Sequence, residues 1–186
     1  MRKSLCLWLL AICLSLAVLP CAFAQYNEDQ PGKIVLRVGF YGPMGDLGDR
    51  GDSIWQAVGV DYVRGYDPQN RPITYFSLER ATGDAQRFQG SITSLTYTRV
   101  SRKDESLKRT FYYGVSGGIY WIDTEYYDLA KFQVVSDSGL TLGASGIIGY
   151  DFNENYFVEG RYTLTGKAGG YNFTGYTIMF GIRNLF

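Results

Sequence analysis

The run Phe111-Tyr112-Tyr113-Gly114-Val115-Ser116-Gly117-Gly118-Ile119-Tyr120-Trp121 carries two different faces. Phe111, Tyr113, Val115, Ile119 and Trp121 fall on one side. Tyr112, Gly114, Ser116, Gly118 and Tyr120 fall on the other. Strict alternation of this kind is the mark of a β-strand with one apolar face. The second face carries no charge, and Gly and Ser take three of its five positions, so it is not an ordinary solvated surface.

The same period recurs along the chain. It covers Ile34–Tyr41, Ala57–Tyr66, Ile73–Ala81, a Thr/Ser-rich run at Ser91–Val100 whose register is ambiguous, Leu140–Tyr150, Tyr156–Leu164 and Tyr176–Arg183. With 111–121 that makes eight strands. Gly (23), Tyr (16) and Phe (11) are abundant, and such a composition disfavours a helical bundle. Pro31, Pro43, Pro68 and Pro72 all lie outside the runs, where a missing N–H breaks no ladder.

The first residues read as a targeting segment. Arg2 and Lys3 precede an apolar stretch from Leu5 to Leu19, and Ala22-Phe23-Ala24 suits signal peptidase. Cleavage is expected between Ala24 and Gln25. This divides the chain into a signal peptide (1–24), an N-terminal periplasmic segment (25–32) and a β-barrel (33–186). All three cysteines, Cys6, Cys13 and Cys21, lie in the segment removed. The mature chain therefore has no disulfide, thiolate metal site or cysteine nucleophile. Removing Arg2 and Lys3 leaves 16 basic against 18 acidic residues, and no basic excess points to nucleic acid.

Alternation alone does not say which face is inside, because a soluble ligand-binding barrel also alternates. The sequence favours the membrane arrangement, with apolar residues outward. The less apolar face holds Gly39, Gly59, Ser77, Gly114, Ser116, Gly118, Gly143, Ser145 and Gly181, and an eight-stranded barrel has room inside only for packed side chains. The charges assigned to that face, Arg37, Arg161 and Arg183 against Asp61, Glu79 and Glu159, cancel. They are read as a lumen charge network, since an unpaired charge in a narrow lumen is costly. Aromatics near strand ends on the other face (Phe40, Tyr62, Phe111, Tyr113, Trp121, Tyr150, Tyr156, Tyr162 and Tyr176) match the two girdles of membrane barrels. The expected fold is an all-β, eight-stranded antiparallel up-and-down transmembrane barrel.

Connections after strands 1, 3, 5 and 7 span about 43–54, 82–90, 123–139 and 165–174, and those after strands 2, 4 and 6 are shorter as a set, at about 67–72, 101–109 and 151–155, although 101–109 is as long as 82–90. Long external loops and short periplasmic turns are the outer-membrane habit. Loops 43–54 and 123–139 are the candidate surfaces for a partner. Tyr126, Tyr127, Phe132, Val134 and Val135 in the second are either contact residues or a hairpin extending strands 5 and 6.

With the signal peptide, the meander and the terminal segment Gly175–Phe186, the chain resembles the small outer-membrane barrels of the OmpA, OmpX and OmpW kind. Tyr176, Ile178, Phe180, Ile182 and the final Phe186 resemble the signal read by the barrel-assembly machinery, although Asn184 interrupts the alternation. The resemblance implies insertion in outer-membrane lipid of a bacterium. Outer-membrane barrel enzymes use a histidine, and this chain has none, so Ser-His-Asp hydrolysis and His-ligated zinc are excluded. Asp46, Asp49 and Asp52 could converge on calcium but fit ordinary Gly-Asp turn chemistry better. No cofactor or metal is expected. The reading is a non-enzymatic barrel with a structural or surface-interaction role. The alternatives are a narrow path for small or apolar solutes and a soluble periplasmic binding barrel.

Overall fold

The computed structural model describes residues 33–48, 54–63, 73–85, 88–102, 109–129, 132–168 and 170–183, all within one compact unit. The proposed signal peptide, residues 25–32, Asp49, Asp52 and Phe186 lie outside the described residues. Eight long strands form the wall: β1 (Lys33–Pro43), β2 (Trp55–Val63), β3 (Ile73–Ala85), β4 (Phe88–Arg102), β5 (Thr110–Asp128), β6 (Gln133–Asp151), β7 (Tyr156–Thr165) and β10 (Gly175–Arg183). A short pair, β8 (Lys167–Ala168) and β9 (Tyr171–Asn172), sits between β7 and β10, and a 3-10 turn occupies Gly45–Leu47. The wall closes in the order β1-β10-β7-β6-β5-β4-β3-β2, antiparallel throughout.

The pairing fixes the barrel's dimensions. From Pro43 the ladder runs through Gly175, Thr163, Ser145, Ser116, Thr98, Tyr75 and Val63, and returns to β1 at Lys33. The stagger is thus ten residues, from 43 to 33. Eight strands staggered this way tilt by roughly 35–45° and enclose a space that side chains fill.

The apolar face points out. Ile34 is 42% exposed, Leu36 39% and Ile178 54%, whereas Arg37 is 1% and Glu159 2%. The ambiguous fourth run resolves the same way, with Ser94, Thr96 and Thr98 inside and Leu95 outside.

Two expectations about connections are corrected. Residues 82–90 are not a loop, because Gly83, Asp84 and Ala85 pair with Gly90, Gln89 and Phe88. Residues 123–139 are likewise mostly ladder, from Asp123–Ser138 to Asp128–Gln133. They form the hairpin that extends β5 and β6. From Gln133 to Ser138 nearly every β6 residue is exposed, so both faces meet solvent and a strand there leaves no period-two pattern. The expected alternation of long and short connections is therefore absent.

Inside, rings lie over glycines of the adjacent strand: Tyr112 over Gly149, Phe157 over Gly181 and Trp55 over Gly83. Other inward glycines serve close wall curvature. A Cβ on Gly39 would collide with the Ile178 carbonyl and come within 2.7 Å of Met179 Cα, both main chain, whereas one on Gly146 would meet nothing within 4 Å. Gly39→Ala is expected to destabilise the folded barrel by about 1–3 kcal/mol, as overpacking against rigid backbone does. Gly146→Ala should change stability by no more than about 0.5 kcal/mol. Urea midpoints of the two variants in lipid vesicles check the contrast.

Candidate functional site

The barrel axis is crossed by a layer of ions held by four strands. Arg37 on β1 is the hub. Its Nη2 donates to Asp61 Oδ1 on β2 at 2.8 Å, and Nη1 to Glu159 Oε1 on β7 at 3.2 Å. Nη1 also stands 3.4 Å from Glu79 Oε2 on β3. Gly59, paired with Arg37 across the ladder, leaves the guanidinium room, since a Cβ there would lie 3.1 Å from Nη2.

Glu159 is shared more widely. Arg161 Nε donates to its Oε1 at 2.5 Å, while Tyr112 and Tyr75 donate their hydroxyls to Oε2 at 3.0 and 3.3 Å. Ser77 Oγ donates to Asp61 at 2.6 Å. Arg161 Nη1 lies 3.6 Å from Glu79. Five of the six residues named from sequence, Arg37, Asp61, Glu79, Glu159 and Arg161, thus meet in one cluster.

Arg183 does not join them. It pairs with Asp151 Oδ1, while Arg102 Nε donates to Asp151 Oδ2 at 2.8 Å. Arg183 also stacks 4.2 Å from the Phe157 ring and Arg102 lies 5.4 Å from that of Tyr112. Asp151 and Arg102 were hidden because each ends its strand and reads as part of a turn. One further step of inner-face parity, from Gly149 to Asp151 and from Val100 to Arg102, would have found both.

The charge balance divides unevenly. The central cluster holds two arginines against three carboxylates, and the lower one two arginines against one. Taken together, four positive and four negative groups cancel. Arg37 Nε and Arg161 Nη2 still lack an acceptor among the described residues, each at a cost of about 1–3 kcal/mol.

Apolar layers flank the ions. Toward the chain termini, Val35, Tyr75, Val100, Tyr112, Ile147 and Phe157 pack together. At the opposite end Trp55, Phe88, Tyr171, Leu47 and Phe173 form a cap, with Leu47 and Phe173 brought in by the 3-10 turn and the segment after β9. Hydrogen bonds tie the cap down: Met44 N–H to the Thr174 carbonyl at 2.8 Å, and the Tyr41 hydroxyl to the Phe173 carbonyl at 2.8 Å. The sequence did not reveal this cap, since its residues fall in or beside presumed loops.

The chemistry open to this site is limited. Its carboxylates, Asp61, Glu79, Glu159 and Asp151, are all paired with arginine. Among the described residues no group of His, Cys, Asp or Glu is placed to hold a metal. On β10, Tyr176, Ile178 and Phe180 face outward and are exposed, and Ile182 is half-buried.

Comparison with family models gives no match, and comparison with curated proteins gives none. Solved structures do match. The N-terminal β-barrel domain of OprF from Pseudomonas aeruginosa aligns with a TM-score of 0.62 at 12% identity, covering 83% of this chain and 100% of that one. Ail, the attachment invasion locus protein of Yersinia pestis, aligns at 0.56 and 14% identity, covering 82% and 97%. Neisserial surface protein A aligns at 0.55 and 11% identity, covering 83% and 97%. At such identities the likeness concerns architecture alone: the chain has the fold of the small eight-stranded outer-membrane β-barrels.

Proposed function

We propose that the protein is a closed, non-enzymatic barrel of a bacterial outer membrane, whose role is carried by its outer wall and exposed end rather than by passage through its lumen. The observation that carries this reading is the filled interior. Arg37 bridges three strands' carboxylates across the axis, and an aromatic layer stands on each side of it. A solute would have to break several buried ion pairs to pass. The exposed apolar belt supports the membrane setting, because an apolar surface of this extent has no place on a soluble monomer. The absence of histidine supports the non-enzymatic part. The alignment with surface proteins of other bacteria supports the location. In the same reading, the outward Tyr176, Ile178 and Phe180 of β10, with Ile182 and Phe186, serve recognition by the barrel-assembly machinery, and the extended β5–β6 hairpin presents the surface for a partner.

Cell fractionation tests the setting. The chain should remain with membranes and migrate differently on gels before and after heating, whereas release with the periplasm would support the soluble alternative. In planar bilayers the purified barrel should give no single-channel steps, and reproducible steps would favour transport. The ion layer itself is open to mutation. Arg37→Met leaves Asp61 and Glu159 short of a buried partner and should cost about 3–5 kcal/mol, read as a lowered urea midpoint. Arg183→Met should cost less, because Asp151 keeps Arg102.

A further inference from the structure

The β5–β6 ladder keeps a single register from Thr110–Asp151 to Asp128–Gln133, without a bulge. On its other side β6 pairs with β7 only from Gly143 to Asp151, and the Leu142 carbonyl accepts the Gly166 N–H. Beyond that point β7 has ended, at Thr165. From Gln133 to Ser138, β6 therefore has β5 on one side and, among the described residues, no strand on the other.

An open strand edge presents a row of unpaired N–H and C=O groups, which folded proteins commonly blunt with lysine, proline or a bulge. Gln133-Val134-Val135-Ser136-Asp137-Ser138 has none of the three. All but half-buried Val135 are exposed.

The hairpin around this edge is acidic. Residues 123–139 hold Asp123, Glu125, Asp128 and Asp137 against Lys131 alone. Ser136 and Ser138 pair with Glu125 and Asp123, and these four exposed residues lie on the face that carries Trp121 and Leu140 lower down. A strand laid on the β6 edge would stand two strand spacings from β5, roughly 10 Å away. A lysine or arginine on it, opposite Ser136 or Ser138, spans that gap over the short serines and reaches Glu125 or Asp123. An acidic residue there would meet like charge. Asp137, exposed on the other face, adds the same preference.

We infer that the β6 edge from Gln133 to Ser138 binds an extended, basic segment of another polypeptide as an added strand. The inference rests on the surface-interaction reading above and names the kind of partner. Main-chain hydrogen bonds supply the affinity, as in strand addition to other sheet edges, and the carboxylates select lysine or arginine at alternate positions. A second copy of this chain does not suit the edge, because it would bring one acidic hairpin against another.

Labelled peptides test this on the mature barrel in phosphatidylcholine nanodiscs, with empty discs as the control and fluorescence anisotropy as the readout. The probe is an alternating Lys-Val peptide. Its companions are a Glu-Val peptide and the Lys-Val peptide N-methylated at every residue, which keeps the charge but has no N–H to donate. The Lys-Val peptide should bind several-fold more tightly than either. Asp123→Asn with Glu125→Gln should weaken it several-fold, while the barrel still migrates differently before and after heating. Residues 25–186 contain no cysteine, so placement can be read directly. A Lys-Val peptide with a central cysteine should form a disulfide with Ser136→Cys several-fold faster than with Thr82→Cys, exposed on β3 three strands away. Equal binding by the N-methylated peptide, by the Glu-Val peptide or to the doubly neutralised barrel would overturn the proposal. Equal disulfide formation at the two cysteines, or no binding at all, would do the same. A barrel that stays with membranes yet binds no peptide loses only this partner, whereas a chain released with the periplasm loses the reading beneath it as well.

Discussion

An eight-stranded ladder with a stagger of ten residues encloses a cylinder that must be filled from its own wall. It is too narrow for bulk water and too wide to be closed by glycine and serine. Every inward position is thereby committed to packing, and every outward position is left to the surroundings. The inner wall meets this constraint in two ways. Where a ring or a guanidinium crosses the axis, the adjacent strand carries glycine, as Gly59 does beside Arg37 and Gly149 does beside Tyr112. Where charge crosses, it is met by charge. The low polarity of the filled core makes an isolated ion expensive, so the layer around Arg37 and Glu159 is as much a packing requirement as an electrostatic one.

Layering follows from the same constraint. A lumen of ions alone would be exposed to water at both ends and weakened by it. Here the layer lies between Tyr75, Tyr112 and Phe157 on one side and Trp55, Phe88, Leu47 and Phe173 on the other. These rings keep solvent away from the ion pairs and strengthen them. They also supply donors to them, because Tyr75 and Tyr112 use their hydroxyls on Glu159 while their rings pack in the apolar layer. Tyr75 and Tyr112 thus belong to the apolar layer and to the charge network at once.

How much of this the sequence revealed depends on where a strand's two faces differ. Through the belt they differ strongly, so strand number, orientation and the placement of Arg37, Asp61, Glu79, Glu159 and Arg161 inside were all legible from parity. Beyond the belt the β6 residues Gln133 to Ser138 are nearly all exposed on both faces, and 123–139 reads as a loop although it is mostly ladder. At the strand ends the inner face continues into residues that read as turns, Asp151 and Arg102, and it is Asp151, not the central cluster, that pairs with Arg183. The cap was illegible for another reason. Leu47 and Phe173 are apolar residues in irregular segments, and only the three-dimensional path of those segments turns them into the lumen.

The consequence for function is that the interior is constrained and the exterior is free to vary. A side chain facing in answers to seven other strands, whereas one facing out answers only to whatever lies beside it. The departures from the simple pattern accordingly lie outside. Arg80 and Arg99 interrupt the apolar belt without serving any inward packing. At the far end of the β5–β6 hairpin, Phe132 holds a left-handed backbone conformation, φ 52°, with its side chain 80% exposed. A bulky residue at positive φ is strained, and no burial of its ring compensates that strain within the chain. Under the proposed surface role, features that stabilise neither the lumen nor the strand ladder are the ones available for contacts outside this chain. The wall and the hairpin are therefore where its activity is to be sought.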